Sequence, residues 1–286
     1  MTTDSDDPKV LVSTAWLAAH LQDPDLRVID ATWFLEPGRD AHAEYLAAHI
    51  PGARFFDLEA ITDPRSGLPH MAPQPEMFIS RMRAMGIGDG HQVVVYDNSP
   101  MRSAARIWWT FKLMGKADVA VLDGGLAKWQ AEGRAIEDMP PMLRDRHITV
   151  QRQARLVRDV TQVAAASKLG DHEIIDARPA RRFLGEVPEP RPGLRSGHIP
   201  GAKSLPFGQL YNQDGTLKPV AELKAEFQAA GVDLAKPAIT TCGSGVTAAS
   251  LFLALERIGH RDHSLYDGSW AEWGSFPDLK IATGDA

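Results

Sequence analysis

The chain repeats itself, and no other feature limits its fold so firmly. Val28-Ile29-Asp30-Ala31 returns as Ile174-Ile175-Asp176-Ala177, 146 residues later. His49-Ile50-Pro51-Gly52-Ala53 returns as His198-Ile199-Pro200-Gly201-Ala202 after 149, and Leu122-Asp123-Gly124-Gly125 with Trp129 returns as Tyr266-Asp267-Gly268-Ser269 with Trp273 after 144. Three matches in one order at nearly one spacing mark two copies of a single unit. With 286 residues, 44% of them hydrophobic, the chain can give each copy a core of its own. Pro140-Pro141 and the polar stretch 144–155 separate the copies. This reading predicts a first domain over residues 1–141, a linker over 142–157 and a second domain over 158–286.

Within each copy, strand and helix signals alternate. Arg27–Asp30, Gln92–Tyr96 and Val119–Leu122 are short apolar runs, as are Glu173–Asp176, Ala238–Thr241 and Ser264–Tyr266. Apolar on both faces, they read as buried parallel strands. Ser103–Met114 and Thr247–Ile258 carry apolar residues at helical spacing and stop at Gly115 and Gly259. Ser13-Thr14 and Asp159-Val160-Thr161 read as helix N-caps. The fold class is therefore α/β, each unit a parallel sheet with helices on both faces. His49 and His198 occur in both copies and read as fold elements, and the tryptophans read as packing residues. Only the tip, Met1–Lys9, is expected to stay outside the packed units.

Composition closes off several classes of function. With 31 basic against 37 acidic residues and no basic block, nucleic acid is a poor partner. No apolar run is long enough to span a membrane, and the acidic N-terminus has no signal-peptide core, so a cytoplasmic protein with no membrane partner is expected. A single cysteine forbids an internal disulfide and a multi-thiolate metal site, and no metal or organic cofactor is indicated.

That cysteine lies where the copies diverge. Val94-Val95-Tyr96-Asp97 aligns with Ile239-Thr240-Thr241-Cys242, so the first copy carries Asp97 at the position of the thiol. Cys242-Gly243-Ser244-Gly245-Val246-Thr247 follows a strand and opens a helix. Its two glycines allow the backbone to curl with several N–H groups inward, and the helix N-terminus adds partial positive charge. Such a loop favours an anionic sulfur, or a persulfide in the same cradle. A phosphatase cradle places arginine six residues after its cysteine; here that residue is Ala248, and the clamp for a phosphate dianion is missing.

With these residues in view, the chain resembles the two-domain rhodanese-type sulfurtransferases, and within them the 3-mercaptopyruvate branch. The resemblance spans nearly the whole chain. It rests on the Cys242–Thr247 loop, Leu68-Pro69-His70-Met71, Gly185-Glu186-Val187-Pro188-Glu189-Pro190-Arg191 and Asp267-Gly268-Ser269-Trp270-Ala271-Glu272-Trp273. It implies two tandem rhodanese-like domains, the second catalytic. It further implies that Cys242 takes sulfur from 3-mercaptopyruvate, releases pyruvate, and passes the sulfur to thioredoxin or a low-molecular-weight thiol.

By the same resemblance Arg182 and Arg191 hold the donor carboxylate, and Gly243, Gly245, Val246 and Thr247 line the substrate. Ser244 and His70 would relay protons with an acid, for which Glu59 and Asp63 both stand upstream. The thiosulfate-using branch usually has Arg-Lys after the cysteine, where this chain has Gly243-Ser244. A thiosulfate:cyanide sulfurtransferase and a non-enzymatic persulfide carrier stay open as alternatives.

Overall fold

The computed structural model describes residues 4–285. The first half runs β1 (Leu11–Val12), α1 (Thr14–His20), β2 (Leu26–Asp30), α2 (Ala41–Ala47), β3 (Arg54–Phe55), α3 (Pro75–Ala84), β4 (Gln92–Tyr96), α4 (Ser103–Leu113), β5 (Val119–Leu122) and α5 (Gly125–Ala131). The second repeats that order with β6 (Val157–Arg158), α6 (Val160–Leu169), β7 (Glu173–Asp176), α7 (Ala180–Phe183), β8 (Lys203–Ser204), α8 (Val220–Ala229), β9 (Ala238–Thr241), α9 (Ala248–Arg257), β10 (His263–Tyr266) and α10 (Ser269–Trp273). Each half is a five-stranded parallel sheet, ordered β1-β5-β4-β2-β3 and β6-β10-β9-β7-β8. The six apolar runs form the three inner strands of each sheet. The outer strands β1, β3, β6 and β8 are two residues long, too short for a periodic signal in sequence.

Local chemistry sets the boundaries. Ser13 Oγ accepts from Trp16 N at the start of α1, and Asp159 with Gln162 forms a reciprocal capping box on α6. The paired His-Ile-Pro-Gly-Ala segments make matching turns in which Ala53 N donates to Ile50 O and Ala202 N to Ile199 O. Gly52 and Gly201 take φ of +75° and +80° there. His49 Nδ1 lies 2.6 Å from Tyr45 O and His198 Nδ1 lies 2.8 Å from Phe183 O, so both histidines fasten local backbone.

The halves are not strung on a loose tether. α4 and α9 face each other in one apolar core, with the Trp108 and Phe252 ring centroids 6.0 Å apart. Residues 147–153 lie along the first half: Thr149 N donates to Asp89 Oδ1 at 2.7 Å and Gln153 N to Leu113 O at 2.7 Å. Each half also sends an arm across the other. Ala72 N donates to Asp267 Oδ2 at 2.9 Å, and in mirror fashion Leu217 N donates to Asp123 Oδ1 at 2.7 Å. The N-terminal tip corrects the expectation for Met1–Lys9. Asp4 Oδ1 accepts from Val220 N and Ser5 O from Arg257 Nη2, so the tip is bonded to the second half, while residues 1–3 lie outside the described residues.

One buried histidine gives the fold a pH signature. His263 packs edge-on to Phe252 at 4.2 Å; its Nε2 makes no hydrogen bond among the described residues, although Glu256 Oε2 lies 3.4 Å away, too little to offset the burial. Burial, assisted by His260, Arg261 and Arg155, pulls its pKa from 6.5 to about 3. The folded state thus refuses a proton that the unfolded chain accepts. Above pH 6.5 the residue costs nothing; between 6.5 and about 3 it destabilises the fold progressively, because protonation stabilises only the unfolded chain. We expect His263→Phe to flatten the loss of urea resistance between pH 7.5 and pH 5. An unchanged pH slope in the variant would refute this assignment.

Candidate active site

Cys242 stands directly after β9, the middle strand of the second sheet, at the carboxyl edge where parallel sheets gather their sites. The residue is only 2% exposed. It lies at the floor of a cleft of about 370 Å³ lined by both halves. Trp33, Leu35 and Met101 come from the first; Arg178, Pro179, Arg182, Pro190, Arg191 and Phe207 come from the second, together with Cys242, Gly243, Ser244, Val246 and Thr247.

The loop has its shape because its glycines are crowded. A Cβ on Gly243 would lie 3.3 Å from Arg182 Nη2 and 3.9 Å from Arg191 Nη1, so the bare backbone lets both guanidinium groups come close. Gly245 has φ +79°, and a Cβ there would lie 2.9 Å from Arg106 Nη1 and 3.0 Å from Asp267 O. None of the five successive N–H groups from Gly243 to Thr247 donates to an acceptor among the described residues. Beneath the loop, Trp270 N donates to Cys242 O and Ala271 N to Gly243 O, both at 2.9 Å. Ser269 Oγ accepts from Cys242 N at 3.2 Å and donates to Tyr266 O at 2.8 Å.

Ser269 does this from a left-handed backbone, φ +49°. At the equivalent position the first half has Gly125, φ +60°, where a Cβ would fall 2.3 Å from Asp97 O. A non-glycine residue in this region costs on the order of 1–3 kcal/mol, and such strain gathers at functional positions. Asp97 itself is buried, with Oδ1 accepting from Ser99 N and Oδ2 from Ala104 N. Its carboxylate fills the first half's loop, which holds no thiol.

The cations divide into braces and a free group. Arg178 is buried, bonded to Asp176, Glu189 and Gly197 O, and lies over the Trp270 ring. Arg182 pairs with Glu189 through Nη2, with Nε 3.3 Å from the same carboxylate. Arg191 makes no hydrogen bond or salt bridge with any described residue. Burial lowers its pKa, and the nearby Cys242, Glu59 and Glu189 oppose that. The Arg178 guanidinium is likewise electrostatically coupled to the Cys242 sulfur. A half-buried guanidinium with all its donors spare suits a carboxylate.

On the opposite wall, Ser244 Oγ lies 2.9 Å from His70 Nδ1, and His70 Nε2 lies 2.9 Å from Glu59 Oε1. Glu59 also accepts from Trp33 Nε1 at 2.7 Å. An ionised carboxylate can only accept, so in the neutral ring Nε2 carries the proton and Nδ1 accepts from the Ser244 hydroxyl. Glu59 is held below the ordinary carboxylate range, first by the His70 hydrogen bond. Asp63 is not brought to His70. It is held by Arg65 and Gln74, which with the backbone N–H of Arg65 draw its pKa down to about 2. Of the two acids left open by sequence, only Glu59 reaches the imidazole.

Three residues of this site, Glu189, Ser269 and Arg106, carry no role in the sequence reading, and a fourth, Trp33, carries only that of packing. Trp33 departs from the packing expectation, since its indole N–H is spent on a carboxylate. Two signals were available. Arg106 is the one charge in Ala104-Ala105-Arg106-Ile107-Trp108-Trp109, and Ser269 replaces a repeat glycine. Among the described residues, no helix is long and apolar enough to cross a membrane, and no group of three or more His, Cys, Asp and Glu side chains could hold a metal ion.

Comparison with known proteins matches residues 13–132 and 159–275 to the Rhodanese-like domain. A 3-mercaptopyruvate sulfurtransferase of Escherichia coli (strain K12) is 45% identical over 273 residues, covering 94% of this chain and 96% of that protein. A thiosulfate sulfurtransferase of Bos taurus is 39% identical over 272 residues, covering 93% and 92%. The crystal structure of SseA from Escherichia coli, described as a 3-mercaptopyruvate sulfotransferase, superposes with a TM-score of 0.84 at 43% identity, covering 92% of this chain and all of that one.

Proposed function

The chain belongs to the rhodanese-like family, and we propose that it moves sulfur from 3-mercaptopyruvate through a persulfide on Cys242 to a thiol acceptor, releasing pyruvate. The observation that carries this reading is the meeting of one cysteine with one unpaired guanidinium, Arg191, in a single cleft. A small α-keto acid needs both: an anion grip for its carboxylate and a nucleophile for its sulfur.

In the first step the Cys242 thiolate attacks the sulfur of the donor. The S–S bond forms as the C–S bond breaks, and the bonding pair leaves as the enolate of pyruvate. Arg191 and Arg182 hold the carboxylate, while the free N–H groups of 243–247 are available to stabilise charge on the sulfur. The enolate must then gain a proton. With His70 protonated, Nδ1 donates to Ser244, whose own proton is free to pass to the enolate carbon. Glu59 stabilises the imidazolium and keeps the ring aligned, as the acid of a serine–histidine–acid relay does. In the second step an external thiolate attacks the outer sulfur and Cys242 leaves as thiolate. With one cysteine in the chain no internal thiol can do this, so the acceptor comes from outside, as thioredoxin or a low-molecular-weight thiol.

A thiosulfate donor is the second reading, favoured by the relative that carries that name. Its weakness is the neutral Gly243-Ser244 pair, which offers no side-chain cation at the mouth of the loop to the departing sulfite. The two are separated by comparing kcat/KM for both donors with one acceptor. Preference for 3-mercaptopyruvate supports the first reading and preference for thiosulfate overturns it; no sulfur gained from either donor leaves only a carrier loaded by another protein.

The relay makes its own prediction. Glu59→Gln should lower kcat for 3-mercaptopyruvate by roughly 10–100-fold, because a neutral amide cannot stabilise the imidazolium. Asp63→Asn should stay within about twofold of wild type, since that carboxylate serves Arg65 and Gln74. Equal losses in both variants would show that the acid has been misassigned.

A further inference from the structure

Arg106 belongs to the first half, yet it reaches across to the second while it holds the His70 turn of its own. It is 1% exposed, from the first turn of α4. Its Nη2 donates to Asp267 Oδ1 and to His70 O, each at 2.6 Å, and its Nη1 donates to Gly245 O at 3.4 Å. The guanidinium lies over the Trp109 ring at 4.4 Å. Asp267 in turn accepts from Ala72 N through its other oxygen. One cation thus joins the carbonyl of His70, the residue two places beyond it, and the loop that carries Cys242 and Ser244. Such support matters for His70, because its φ of +59° lies in the left-handed region, where a Cβ carries a steric cost.

The repeat supplies an internal control. Both halves clasp the other's arm with the aspartate that follows the last inner strand, Asp267 on Ala72 N and Asp123 on Leu217 N. On the side without sulfur no guanidinium is hydrogen-bonded to the clasp aspartate among the described residues: the equivalent turn of α9 carries Ser250-Leu251, Arg257 of the same helix reaches Asp123 only electrostatically, and Arg102 lies against Gly215 of the arm. The clasp therefore serves the fold, and a guanidinium hydrogen-bonded to its aspartate is found only where the thiol is. A buried ion pair is in itself weak support for stability, so a purely structural role leaves this asymmetry unexplained.

We propose that Arg106 is a positioning residue for sulfur transfer: by tying the His70 turn to the Gly245 carbonyl and Asp267, it fixes the Ser244–His70 hydrogen bond across the boundary between the halves. It touches no reacting atom and acts through His70, so the proposal rests on the relay described above.

The test uses Arg106→Met/Asp267→Asn in the full chain. The pair is removed together because either single change strands a buried charge, while the amide oxygen of the introduced asparagine can still accept from Ala72 N. With a urea midpoint near that of wild type, kcat for 3-mercaptopyruvate should fall by about 10–100-fold while KM moves less than about threefold, Arg182 and Arg191 being untouched. In a His70→Ala background the same double change should cost less than about threefold more. Wild-type kcat in the double variant overturns the proposal, and so does an undiminished loss in the His70→Ala background. A His70→Ala enzyme that turns over at the wild-type rate overturns the relay itself, and the proposal with it. Should the double variant fail to fold, Arg106→Lys decides: lysine keeps charge on Asp267 but loses the fork to His70 and Gly245. A kcat loss with unchanged KM supports positioning, and full activity refutes it.

Discussion

Serine at position 242 is expected to leave a folded protein that transfers no sulfur. An alcohol stays protonated at neutral pH and cannot hold a transferable sulfur atom, so nucleophile and carrier are lost in one change. The fall should reach at least about 10⁴-fold in kcat, the scale seen when a nucleophile is removed outright. Because Cys242 is the sole cysteine, the assay has a single place to look. Wild type given 3-mercaptopyruvate without acceptor should gain one sulfur on the peptide containing residue 242 and release one equivalent of pyruvate. Cys242→Ser should gain none and release none. The backbone bonds around the position, Trp270 N to Cys242 O and Cys242 N to Ser269 Oγ, do not involve the thiol and should hold the loop in place. Turnover above about 1% of wild type in a variant of native circular dichroism would move the chemistry off this residue.

The fold was legible because duplication doubles every signal. The inner strands are apolar on both faces and end in polar or glycine residues, and each appears twice, so chance matches were filtered by the second copy. What escaped was short or non-periodic: two-residue edge strands, the packed course of 147–153, and the bonds that fasten the N-terminal tip to the second half. Within the site, the loop and Arg182 and Arg191 could be named from the resemblance, whereas their division of labour could not. That Arg182 is committed to Glu189 while Arg191 is unpaired depends on side chains meeting between α7 and the following turn. Similarly, Glu59 and Asp63 lie four residues apart in one arm, and only the turn that places His70 at φ +59° separates them. Sequence spacing orders residues along a chain; it does not say which carboxylate faces a ring across a domain boundary.

The division between the two arginines gives the last large effect. Arg191→Ala should weaken 3-mercaptopyruvate by roughly 10–150-fold in kcat/KM, the worth of one charge-assisted hydrogen-bond pair, with most of the loss in KM. Its stability should be nearly unchanged, because no described residue is left without a partner when the guanidinium goes. Arg182→Ala should also weaken the donor, but with a second consequence. Glu189 is buried and shared by Arg178 and Arg182, so removing Arg182 leaves part of its charge uncompensated and should lower the unfolding midpoint as well. The acceptor constant should be unaffected in Arg191→Ala when the acceptor is a neutral thiol, since such a thiol has no carboxylate to hold. Donor KM and urea midpoint measured on both variants decide the matter. Loss of affinity without loss of stability in Arg191→Ala, against loss of both in Arg182→Ala, is the expected pattern. An Arg191→Ala enzyme whose donor KM stays within about twofold of wild type would mean that the carboxylate is gripped elsewhere in the cleft.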